Sequence, residues 1–69
     1  MPQKHLNRLK EILRGQGRTN KWLAQKLGKT EVTISRWCHN NQQPDLETLF
    51  RIGKLLGVPA REIVAEEEE

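Results

Sequence analysis

Residues 19–37 read TNKWLAQKLGKTEVTISRW, and the second half of that run holds the side chains best able to recognise another molecule. Glu31, Val32, Thr33, Ser35 and Arg36 are small, hydrogen-bonding or charged. Ile34 and Trp37 stand three residues apart and fall on the opposite side of a helix. A short helix with one apolar and one such polar side fits the major groove of DNA, where it exchanges hydrogen bonds with base edges. That chemistry is non-covalent reading rather than turnover.

Nothing else in the chain points to catalysis. Cys38 has no His and acid nearby to activate it as a nucleophile. There is no Ser-His-Asp order and no Gly-rich phosphate loop. Asp45 and Glu47 read as helix-start residues, not as a catalytic pair. His5 and His39 lie far apart and lack a matching Cys or His, so no metal site is expected. We expect neither an enzyme nor a cofactor.

A reading helix needs a rigid base, and the spacing supplies one. Apolar residues recur at helical intervals throughout, without strand-like alternation. The pattern predicts five helices. The first covers about Gln3 to Arg14, with Leu6, Leu9, Ile12 and Leu13 on one face. The second runs from about Asn20 to Leu27, with Thr19 as N-cap and Leu23, Ala24 and Leu27 inward. The third runs from about Glu31 to Cys38, with Thr30 as N-cap; Asn40-Asn41 tolerates the left-handed turn after it.

The fourth begins after Pro44 with Asp45 as N-cap. Leu46, Leu49, Phe50, Ile52, Leu55 and Leu56 make it the most apolar segment, expected to be central. The fifth starts near Pro59, with Ile63 and Val64 inward. Between helices two and three, Gly28-Lys29-Thr30 is short enough to force a wide crossing, and Gly28 takes positive φ without steric cost. Ala24 keeps the two helices close because a large side chain there would part them.

Composition narrows the class. Sixty-nine residues make one small domain, 1–65, followed by the acidic tail Glu66–Glu69. The single Cys excludes an intramolecular disulfide, so apolar packing must hold the fold. No leader-like apolar region and no run of the roughly 18 apolar residues a span requires are present. A cytoplasmic location and no membrane partner are therefore expected. All twelve Lys and Arg lie between Lys4 and Arg61, against five acids in the same body, so residues 1–65 carry +7. A basic body suits a polyanion.

The residues Thr19, Leu23-Ala24, Leu27-Gly28, Thr30, Thr33-Ile34-Ser35-Arg36-Trp37, Pro44, Leu46, Leu49 and Leu55-Leu56-Gly57-Val58 together resemble the lambda repressor and Cro (Xre) family of helix-turn-helix regulators. The likeness covers about residues 6–64. It implies an all-α, compact five-helix domain in which helices two and three form the helix-turn-helix. It also implies binding of double-stranded operator DNA as a two-fold homodimer. Three positions depart from the family's usual pattern: Lys29 stands for an apolar residue, Cys38 for Glu and Asn40 for Gly. Cys38 replaces one side of a buried ion pair with a small apolar group, which need not weaken the fold.

In helix-turn-helix docking the N-terminal part of the recognition helix approaches base edges. Glu31, Val32, Thr33 and Arg36 are therefore the expected base readers. Arg36 suits guanine O6 and N7, Glu31 cytosine N4, and Val32 a thymine methyl group. Asn20, Lys21, Lys29, Thr30, Ser35, His39, Asn41 and Gln43 flank that surface and are the expected phosphate contacts. Trp37 reads as core, whereas Trp22 lies off the inner stripe, to pack on helix one or join a partner face. The expected function is a transcriptional regulator, repressing by promoter occupancy or activating through polymerase. The alternative is an antitoxin-like module that neutralises a toxin partner through Trp22 and helix five.

Overall fold

The computed structural model describes residues 6–65. Five helices follow one another: α1 (Leu9–Gly15), α2 (Asn20–Leu27), α3 (Glu31–Cys38), α4 (Leu46–Leu56) and α5 (Ala60–Ile63). Local chemistry sets most of their ends. The Thr19 hydroxyl accepts from the Trp22 amide, Thr30 from the Thr33 amide and the Asp45 carboxylate from the Thr48 amide. Each cap satisfies one of the backbone donors that a helix start leaves unpaired. Gly28 ends α2 at φ 68°, and Asn40 takes φ 59° just past α3.

The core lies between α2, α3 and α4, closed by α1 and α5. Leu9, Leu23, Ile34, Ile52 and Ile63 are fully enclosed, joined by Leu13, Ala24, Leu27, Trp37, Cys38 and Leu56. Each helix thus contributes apolar side chains to one cluster. Burying such a side chain stabilises by about 1.5–3 kcal/mol, which makes the cluster the foundation on which α3 stands.

Several expectations need correction. The first helix starts at Leu9, so Leu6, Asn7 and Arg8 lie outside it, while Gln3–His5 fall beyond the described residues. Leu6, Asn7 and Arg8 pair instead with Ile63, Val64 and Ala65. Asn7 and Val64 form an isolated antiparallel bridge; the Arg8 amide donates to the Ile63 carbonyl at 2.7 Å, and the Ala65 amide to the Leu6 carbonyl at 2.7 Å. Extended pairing takes the backbone groups that another helical turn would use. It also leaves Leu6 and Val64 exposed, contrary to their expected inward positions.

In α4 the apolar pattern is wider than the face the core covers. Ile52 and Leu56 are buried with Thr48 and Gly53, and Leu49 is half-buried. Leu46, Phe50 and Leu55 are exposed instead. Gly53 explains how closely α4 meets the chain leading into α5. A Cβ there would stand 2.7 Å from the Val58 carbonyl oxygen, so only glycine fits.

Candidate nucleic-acid interface

α3 is held from below and open above. Ile34 and Trp37 are sealed in the core, while Glu31, Val32 and Arg36 are exposed. Val32 is 59% exposed. Thr33 is half-buried, and its hydroxyl lies 3.1 Å from that of Thr30. Neither Thr33 nor Arg36 is turned into the interior. Four side chains of different chemistry therefore share the start and outer side of one short helix: an acid, a methyl-rich group, a hydroxyl and a guanidinium.

The expected flanking residues divide into groups. Lys21, Lys29 and Thr30 are exposed near the starts of α2 and α3. Lys29 also lies close enough to Asp45 to help hold that carboxyl below its ordinary range, behind the larger effect of hydrogen bonds from Thr48. Asn20 is half-buried, and its Oδ1 accepts from Cys38 Sγ at 3.6 Å. Burial pushes the Cys38 thiol up, so it stays a neutral donor. At the far end of α3, His39 Nδ1 sits 2.9 Å from the Ser35 carbonyl oxygen. Such a contact requires the proton on Nδ1. Asn41 is exposed just beyond it.

Gln43 is exposed, and its side-chain amide is engaged by its neighbours. Its Oε1 accepts from Asn7 Nδ2 at 2.6 Å, and its Nε2 donates to Asn40 Oδ1 at 3.1 Å. Both ends of the amide are thus engaged within the fold. The network runs further. Asn40 Oδ1 also accepts from the Leu6 and Asn7 amides at 2.8 and 3.0 Å, and Asn7 Nδ2 donates to the Trp37 carbonyl at 2.9 Å. Asn7, Asn40 and Gln43 fasten the exit of α3 to the segment before α1. Gln43 thus helps fix the exit of α3.

One group of side chains goes beyond the sequence reading. A cavity of about 280 Å³ opens between α1, the start of α2 and the end of α3. Lys10, Arg14, Arg18, Asn20 and His39 line it, with Cys38 in its wall. Arg18 also lies over the Trp22 ring, 4.4 Å from its centroid, an attractive cation–π arrangement. Three cations beside a helix start form a basic concavity that suits an anion. Lys10 and Arg14 stand on α1 and Arg18 on the loop after it, four residues apart within one short stretch, but only the fold sets them against Asn20 and His39. The available signal was their common charge at four-residue spacing.

Comparison with known proteins identifies the scaffold. A family model described as helix-turn-helix, of the Cro/C1 type, matches residues 9–63. The chain belongs to this family. The match takes in all five helices and both capped starts of the helix-turn-helix, α2 and α3. A crystal structure of a candidate DNA-binding protein from Bacteroides fragilis is similar to this member of the family, with 48% identity and a TM-score of 0.86. The alignment covers 87% of this chain and 97% of that one. No match was found among curated proteins. Among the described residues of this Cro/C1-type domain, no group of three or more His, Cys, Asp or Glu could hold a metal ion, and no helix is long and apolar enough to cross a membrane.

Proposed function

We propose that this chain is a sequence-specific regulator of transcription that inserts α3 into the major groove of double-stranded DNA and represses by occupying a promoter. The observation that carries this reading is the two-sidedness of α3. Glu31, Val32 and Arg36 are exposed, while Ile34 and Trp37 are locked in the core. A rigid base lets a short helix keep its tilt in the groove, where N-terminal residues meet base edges.

In this reading Arg36 donates two hydrogen bonds to a guanine, Glu31 accepts from cytosine N4, Val32 meets a thymine methyl and Thr33 adds a hydroxyl. Lys21, Lys29, Thr30, Asn20, Ser35, His39 and Asn41 contact phosphates around it. Lys10, Arg14 and Arg18 extend that set through the basic cavity at the start of α2. The protein acts in the cytoplasm as a homodimer on a two-fold site, with half-sites about one helical turn, roughly 34 Å, apart.

The test is selection of bound duplexes from a random pool, followed by the same selection with Arg36→Ala. The wild type is expected to recover a two-fold sequence. Arg36→Ala should lose the preference at one base pair per half-site, worth about 1–3 kcal/mol. An unenriched wild-type pool would remove the sequence-specific reading.

A further inference from the structure

α4 carries an apolar stripe that the core leaves open. Leu46 is 67% exposed and Phe50 is 56% exposed. They are four residues apart, hence one above the other on the same side of the helix. Isolated exposed apolar residues are ordinary, but two stacked on one stripe make a patch. At 100° per residue, Glu47 and Lys54 project from the same outer side, beside Leu46 and Phe50. Both are exposed. The stripe is thus bordered by an acid in the first turn of α4 and a base in the last.

We propose that this stripe is the contact between two copies of the chain, their α4 helices crossing antiparallel near Phe50, with Glu47 of each copy meeting Lys54 of the other. The proposal rests on the two-fold reading above and gives it a surface. A two-fold contact uses one patch twice and must be complementary to itself. In a two-fold antiparallel crossing, residues equally far before and after the centre meet, and a centre between Phe50 and Arg51 is equidistant from Glu47 and Lys54. That pairs Glu47 with Lys54, and symmetry repeats the pair. Leu46 then lies along the methylene stem of the opposing Lys54, a use of lysine that leaves its ammonium in water. A parallel arrangement would set Glu47 against Glu47 and Lys54 against Lys54.

Sedimentation equilibrium of the full chain tests the surface. Phe50→Asp, checked for helicity by circular dichroism, should weaken self-association at least tenfold. Glu47→Lys and Lys54→Glu should each weaken it several-fold. Their equimolar mixture should recover wild-type association, because both charge pairs become opposite again, and the double variant E47K/K54E should recover it alone. Should either single variant fold poorly, the double variant still reads the pairing. A dimer that ignores Phe50→Asp, or a mixture no tighter than its components, overturns this face while leaving the two-fold reading intact. A wild type that stays monomeric, both free and on a two-fold duplex selected from a random pool, removes the dimer altogether. Single-site binding by that monomer would still preserve DNA recognition.

Discussion

Asn40 does two jobs that different substitutions separate. It holds φ 59°, where most side chains are strained, and its Oδ1 gathers the Leu6 and Asn7 amides with Gln43. Asn40→Gly keeps the backbone and loses the acceptor. We expect it to cost about 1–3 kcal/mol, the penalty of stranding buried donors. Asn40→Ala adds the left-handed strain, roughly 1–2 kcal/mol more. Urea unfolding of the three proteins measures both steps, and equal losses for Gly and Ala would mean that the amide does all the work. Asp45 supplies a pH-dependent counterpart. Its carboxyl is held below the ordinary range by the Thr48 hydroxyl and amide, with Lys29 adding to the effect. A depressed acid stabilises the fold above its unfolded value, and that contribution disappears as pH falls through the folded value. Melting temperature should therefore drop on acidification below the ordinary carboxylate range. In Asp45→Asn, which keeps a capping oxygen but cannot titrate, the drop should be smaller. An identical acid limb in both proteins would place the sensitivity elsewhere.

At the scale of elements, Gly53 reverses the usual rule. Replacing a glycine inside a helix by alanine ordinarily stabilises by about 1 kcal/mol. Here the added Cβ meets a backbone oxygen, Val58 O, at 2.7 Å, and backbone cannot swing aside. Gly53→Ala should instead destabilise by roughly 1–3 kcal/mol through overpacking, visible as a lower urea midpoint. A higher midpoint would show that the α4–α5 turn can yield. This glycine marks the limit of sequence reading. The caps Thr19, Thr30 and Asp45 and the left-handed Gly28 were legible because each follows a local rule. The buried stripes of α2 and α3 were legible because period settles them. Nothing local reports that Val58 approaches Gly53, or that Leu6–Arg8 leave the helix to pair with Ile63–Ala65. Periodicity likewise gives the width of an apolar face but not how much of it a neighbour covers. Leu46 and Phe50 belong to the apolar pattern that marks α4 as central, yet they stand outside. The candidate reading side of α3 was visible in sequence, whereas the cavity also needed the start of α2 and the end of α3 brought against residues 10–18.

For the whole molecule, the decisive quantity is how affinity responds to salt. Residues 1–65 carry +7, and the cavity gathers Lys10, Arg14 and Arg18 beside the start of α2. If that region faces the duplex backbone, each cation that neutralises a phosphate releases counterions. The slope of log affinity against log salt then steepens by about one per contact. Lys10→Gln, Arg14→Gln and Arg18→Gln should each flatten the slope by about one and weaken all sequences alike. Arg36→Ala should act differently, altering which base is preferred at one position. Arg18 carries a control within itself, because it also covers the Trp22 ring. Arg18→Gln should change tryptophan emission without DNA, whereas Lys10→Gln should leave it unchanged. A slope that survives all three substitutions would show that the cavity points away from the DNA. The phosphate contacts would then fall to Lys21 and Lys29, and the domain would meet the duplex with α3 but without the flank of α1.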